Sequence, residues 1–200
     1  MLLISSNLDL FQKVRSELTS DFELISYFVL KAYLPDHGIV KNFGKRSDYT
    51  GNAVTKIRSL AKDLKVHVNE SELQNISERN HQERGLDLIG WLPFSDDCPN
   101  FQTILGQCAC GKGWPSKHHD TKRYSHYLKF YRLKAIHAMF IPYSLVTVQG
   151  KFFRSDDIED ETLVFERKRI LQFFKEEDEF NLMPSKSIVD ASLNYTEDIV

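Results

Sequence analysis

The sequence predicts an α/β (α+β) domain with a small mixed central β-sheet, and three features carry that prediction. Two stretches with helical spacing of apolar residues come first. Two β-like runs then bracket a turn-rich tip, and a short apolar strand follows a polar segment patterned as helix. With 200 residues, 42% hydrophobic and 12% aromatic, the chain can bury one sizeable core but not two full domains. The expected organisation is one domain over 1–180 and a polar tail over 181–200. Within the domain, N-terminal helices occupy 7–34, a core occupies about 50–143, and a strand and helix occupy 145–175.

Leu8, Phe11, Val14 and Leu18, followed by Phe22, Ile25, Phe28, Val29 and Tyr33, recur at helical intervals. They predict two helices meeting near Thr19-Ser20-Asp21, with Ser20 or Asp21 capping the second and Leu34-Pro35 stopping it. Asp36 to Gly51 holds three glycines and reads as loop. Thr50 to Leu64 returns to helix through Ala53, Ile57, Leu60, Ala61 and Leu64, and Lys65-Val-His-Val-Asn69 alternates as a short strand. Glu70 to Glu83 is polar and expected to be irregular.

Leu86 to Leu92 and Phe101 to Ala109 bracket the turn cluster Ser95-Asp-Asp-Cys-Pro-Asn100, the pattern of an antiparallel hairpin. Ser116 to Leu133 reads as a basic helix, Ala135 to Tyr143 as a buried strand and Leu145 to Phe153 as another strand. Thr162 to Phe174 reads as an amphipathic helix.

The net charge of −2 gives no global pull toward polyanions, but it hides an asymmetry. From Lys112 to Lys134 seven Lys/Arg stand against one acid, Asp120, whereas ten acids fall between Asp156 and Glu179. A basic middle suits a polyanion-facing surface; two ordinary solvated faces would give the same pattern. Three cysteines and no secretory leader favour a reducing, cytoplasmic setting. No apolar run approaches the roughly 18 residues that cross a bilayer, so no membrane partner is expected.

The hairpin carries the chemistry. Asp87 begins an otherwise apolar strand and Gln107 interrupts its partner, and a polar group in such a place is costly unless bonded or holding a metal. Twenty positions apart across a hairpin, the two can lie side by side at one end of the sheet. A carboxylate with an amide oxygen suits a hard cation, Mg²⁺ or Mn²⁺, which can activate water and stabilise a phosphoryl group. The same two residues would also serve as structural hydrogen-bonding groups in a non-catalytic interaction domain.

The order helix, strand, hairpin, helix, strand, with an acid on one hairpin strand and an acid or amide on the next, resembles the PD-(D/E)XK, or restriction-endonuclease-like, nuclease superfamily over roughly Thr50 to Tyr143. Gly106-Gln-Cys-Ala-Cys-Gly111 with Trp114 resembles a motif of bacterial phage-defence proteins. The resemblance implies a metal-dependent DNA endonuclease, with DNA and other defence subunits as partners. Asp87 matches the first acid, Gln107 takes the (Asp/Glu) position, and Ala109 stands where the family has lysine. Lys112 or Lys117 would then supply the missing ammonium and Glu83 a further metal-binding carboxylate. Lys122, Arg123, Lys129 and Arg132 would hold the nucleic-acid backbone. The alternative is a non-catalytic DNA-binding or protein-interaction subunit derived from such a fold.

Other readings of these residues are weaker. Cys98, Cys108, Cys110, His118 and His119 match structural zinc spacings poorly, so zinc is not expected. Nothing places a base beside either cysteine for nucleophilic catalysis, and Gly111-Lys-Gly113 is too short for a phosphate loop. Tyr124, Tyr127 and Tyr131 follow helical spacing and read as a packing stripe before a base-stacking set.

Overall fold

A computed structural model describes residues 1–76, 85–153, 158, 161–174, 181 and 183–194. After a short N-terminal helix, α1 (Leu2–Ser5), and two 3-10 turns, the chain enters α2 (Arg15–Tyr33), β1 (Ile39–Asn42), α3 (Ala53–Asp63), β2 (His67–Val68) and α4 (Glu70–Gln74). The hairpin strands are β3 (Leu88–Trp91) and β4 (Thr103–Cys108). A crossover of two 3-10 turns, α5 (Tyr124–Tyr127) and β5 (Leu128–Lys129) leads to β6 (Ile136–Phe140). Then come β7 (Thr162–Phe165), α6 (Arg167–Phe173) and α7 (Lys186–Leu193).

Five strands form one mixed sheet in the order β1-β3-β4-β6-β7. The first three are antiparallel neighbours, and β6 and β7 add in parallel to β4. Strand alternation puts Leu88, Ile104, Ala138, Phe140 and Phe165 on one face, under the α2 residues Leu18, Phe22, Ile25, Val29 and Leu30. Ile89, Trp91 and Leu105 face the other way, toward Ile57, Leu60 and Leu64 of the α3 segment and Tyr124 and Tyr127 of α5. The fold is therefore a mixed α/β layer structure with helices on both faces of a five-stranded sheet. Among the described residues, no helix is long and apolar enough to cross a membrane.

Several elements differ from their sequence pattern, each for a tertiary reason. Residues 15–33 form one helix rather than two meeting at Thr19-Ser20-Asp21. Neither Ser20 nor Asp21 caps anything. Ser20 Oγ accepts from Arg46 Nε at 3.0 Å, and the fully buried Asp21 accepts from Arg46 Nη2 at 3.0 Å and the Ser185 amide at 2.8 Å. Within the expected loop 36–51, Ile39–Asn42 is the edge strand that pairs with Trp91–Leu88. The expected helix over 116–133 is broken into 3-10 turns Trp114–Lys117 and Thr121–Arg123, the single-turn α5 and β5. Pairing of Leu128 and Lys129 with Val68 and His67 draws the chain out of helix there.

The expected strand over 145–153 reduces to one antiparallel bridge, Val146 with Phe152. Thr162–Phe165 leaves the predicted helix to become β7, because its apolar residues Leu163 and Phe165 alternate and its register against His137–Phe140 completes the sheet. Helix α6 starts only at Arg167, where the Glu166 carboxylate accepts from the Arg169 amide at 3.0 Å. Glu70–Gln74 is helical rather than irregular. The described part of 181–200 is not simply a polar tail: Met183 is buried, and so is Val189 within α7.

Candidate functional site

The β3–β4 ladder ends at the pair Leu88–Gly106, so one further step sets Asp87 opposite Gln107, at the carboxyl end of β4. Here the regular alternation stops: Leu86 joins the α3-side core and Leu88 the α2-side core, which leaves Asp87 between them at the sheet's end. Its backbone is held on three sides. The Asp87 amide donates to Gly106 O at 2.9 Å, and its carbonyl accepts from the Phe43 and Gly44 amides at 2.7 and 3.1 Å. The residue is 8% exposed, and its carboxylate accepts through Oδ2 from the Cys108 amide at 2.7 Å.

A second buried acid, Glu23, comes from the α2 layer and accepts from the Lys45 amide at 3.3 Å. Gly44 lies between the two acids. A Cβ there would stand 3.0 Å from Asp87 Oδ1 and 3.0 Å from Glu23 Oε2, so those oxygens are no more than about 6 Å apart. No side chain fits at position 44 without moving one of them.

The two acids line a cavity of about 670 Å³ at the end of the sheet, together with Gln107, Asp120, Lys45 and Lys117. The carboxyl ends of parallel strands are where ligands bind in open α/β sheets. The first turns of α2, with Arg15 and Thr19, form a further wall. Cys108 and Cys110 are also in the lining. Burial, and then the charges of Asp87 and Glu23, push the Cys108 thiol well above its usual range. Burial dominates at Cys110 too; Glu23 and Asp87 raise that thiol further while Lys117 and Lys45 oppose them.

Gln107 is 4% exposed and leaves β4 on the face opposite Cys108. Its amide nitrogen donates to Asp120 Oδ2 at 2.8 Å, and its buried amide oxygen has no hydrogen-bond partner among the described residues. Asp120 rests on Gly85, whose φ is +86° and whose missing Cβ would come within 2.5 Å of the Asp120 Cβ. Arg123 approaches Asp120 from the next turn at 3.8 Å.

The other residues read from the sequence disperse. Lys117 reaches the cavity from its 3-10 turn, whereas Lys112 is exposed and paired with Asp9 at 3.2 Å, and it is absent from the lining. Ala109 is buried among Trp114, Met139, Ile141 and Val164, so a lysine has no room there. Glu83 lies outside the described residues. Lys122 and the exposed Arg123 flank Asp120 on its turn, while Lys129 faces His67 in the small second sheet and Arg132 is exposed beyond it. The basic residues thus occupy two places rather than one helix face.

Tyr124 and Tyr127 are core residues 5.6 Å apart, and Tyr131 is exposed against His67. Cys98 is exposed at the hairpin tip and His118 is buried against Trp114. Among the described residues, no three His, Cys, Asp or Glu side chains come together to hold a metal unaided.

Glu23 and Asp120 were not singled out from the sequence, though each left a trace. Glu23 is an acid on the buried stripe of α2, and Asp120 is the lone acid of the basic stretch. Comparison of the chain with known protein families, curated proteins and solved structures finds no match.

Proposed function

We propose that this protein is a metal-dependent DNA endonuclease of restriction-endonuclease-like fold, a divergent relative of the PD-(D/E)XK enzymes, acting in bacterial phage defence. The observation that carries the reading is the pairing of two buried carboxylates, Glu23 and Asp87, within about 6 Å at the floor of a cavity beside Gln107 and Lys117. Two buried carboxylates so close disfavour the doubly ionised state, which a proton, a basic side chain or a cation can offset; a divalent cation is the offset proposed here. Of the order on which the resemblance rests, α3, β2, the hairpin β3–β4 and the strand β6 are present in sequence, but β2 pairs with β5 outside the central sheet and the crossover is 3-10 turns with a single-turn α5 in place of a helix.

The donor set fits Mg²⁺ or Mn²⁺. All the candidate ligands are oxygens, and the buried Gln107 oxygen lacks a partner among the described residues. Mg²⁺ in particular is commonly held by one or two carboxylates with water completing the shell, so a third carboxylate is not needed. Glu23 and Asp87 would hold the ion, with Gln107 as an additional oxygen donor. When bound, the ion polarises a phosphoryl oxygen and acidifies water. Lys117 supplies the positive charge that faces the phosphate, in place of the lysine that Ala109 excludes. Lys122 and Arg123, beside Asp120, take the backbone on either side of the scissile bond.

The test is cleavage of plasmid and oligonucleotide DNA with Mg²⁺ or Mn²⁺. Asp87→Asn keeps an acceptor for the Cys108 amide but removes the charge. It should abolish cleavage and leave the melting temperature unchanged or raised. Absence of cleavage with any divalent metal, with a large loss of stability in Asp87→Asn, would refute the enzyme. A second reading, a non-catalytic DNA-binding or interaction subunit, draws on the closed packing around Ala109. It predicts salt-sensitive DNA binding that survives Asp87→Asn and falls with Lys122→Glu and Arg123→Glu.

A further inference from the structure

A glutamine at position 107 is a weaker partner for a divalent cation than a carboxylate, and its surroundings account for the choice. Its amide nitrogen is committed to Asp120 Oδ2 at 2.8 Å. A carboxylate at 107 would put two acids at that separation, so with Asp120 in place only a donor is accepted there. The same bond fixes the sense of the amide: with nitrogen toward Asp120, oxygen must face away. That oxygen is buried with no donor among the described residues, an unfavourable state in a side chain otherwise bonded. Asp120 is itself held in place by the bare Gly85 backbone beneath it and by Arg123 at 3.8 Å.

We propose that Asp120 is a positioning residue of this cavity: it turns the Gln107 amide so that an oxygen is left for a bound divalent cation, and it carries on the crossover the negative charge that a carboxylate at 107 would otherwise supply. The inference rests on the metal-site reading above and says where that site's remaining charge lies. It is a charge relocated by one hydrogen bond, from strand β4 to the turn Thr121–Arg123 that follows Asp120.

The test is Mn²⁺ binding to the full-length protein by calorimetry and by the electron paramagnetic resonance signal of the free ion. The wild type, Asp120→Ala, Gln107→Glu and the double exchange Gln107→Glu with Asp120→Asn are compared, each checked for its melt. Loss of an outer partner of a metal ligand typically weakens binding about 10- to 100-fold, and that is expected of Asp120→Ala, which leaves the Gln107 amide nitrogen without an acceptor. Gln107→Glu alone should also bind poorly, because its carboxylate meets Asp120. The double exchange restores one donor and one acceptor with the charge swapped, and it should regain affinity. A folded Asp120→Ala that binds Mn²⁺ like the wild type overturns the proposal, as does a folded double exchange no better than the worse single variant. Wild-type protein that is folded and binds no Mn²⁺ overturns the metal site itself and this proposal with it.

Discussion

Asp21 offers the sharpest stability test, because it ties three distant parts of the chain together with one carboxylate. It is fully buried, accepts from Arg46 Nη2 at 3.0 Å through Oδ1, and accepts from the Ser185 amide at 2.8 Å through Oδ2. Substitution by alanine leaves the amide of the buried Ser185 without an acceptor, costing about 1–3 kcal/mol. It also removes a charge-assisted bond to Arg46, worth about 1.5–3 kcal/mol, at the lower end here because Arg46 is 36% exposed and can turn to water. The combined loss is about 3–4 kcal/mol, within the range for breaking a buried pair. For a chain of this length each kcal/mol lowers the melting temperature by roughly 2–4 °C, so Asp21→Ala should melt about 6–16 °C lower by circular dichroism. Asp21→Asn, which keeps an acceptor for Ser185, should recover part of that loss. A fall of less than about 2 °C in Asp21→Ala would refute the reasoning, since it would mean that neither partner depends on the carboxylate. The consequence reaches the cavity: Arg46 follows Lys45 in the loop where Gly44 separates the two acids and the Lys45 amide binds Glu23.

Three further outcomes follow from the same geometry. Gly44→Ala inserts a methyl 3.0 Å from an oxygen of each acid and should lower stability by about 1–3 kcal/mol while abolishing Mn²⁺ binding, read by urea denaturation and calorimetry; unchanged binding would place the metal elsewhere. Under native conditions iodoacetamide should alkylate the exposed Cys98 long before Cys108 and Cys110, whose thiols are pushed up by burial and by Asp87 and Glu23, and peptide mass spectrometry reads the order. Burial, and secondarily Lys122, hold His137 below its ordinary 6.5, against the opposing pull of Glu161. The unfolded chain therefore takes up its proton first, so stability is full above about pH 6.5 and is lost as pH falls toward the folded value. Urea midpoints at pH 7.5 and 5 should differ more for the wild type than for His137→Gln.

The hairpin was legible because its information is local. Period-2 runs and the turn cluster at 95–100 place Asp87 opposite Gln107 without reference to any other part of the chain. The crossover was not: residues 116–133 have helical spacing, yet Tyr124 and Tyr127 serve the α3-side core and β5 pairs with β2, so tertiary packing overrides the pattern. The failure at Thr162–Phe165 is of the same kind. A parallel strand draws its hydrogen bonds from a partner more than twenty positions away, and no local period announces that partner.

By itself the sequence determined the mixed α/β class and one half of the candidate site, because hydrophobic periodicity and turn chemistry act over a few neighbouring residues. Only the tertiary structure decided the other half. Glu23 lies 64 positions before Asp87 and Asp120 lies 13 positions after Gln107, and both reach the cavity through packing of α2 on the sheet and the path of the crossover. The same packing filled the space around position 109 with apolar side chains, while Lys117 came to line the cavity. Convergence of polar groups from separate elements is a property of the folded surface, because the burial that makes it costly exists only once the layers have met.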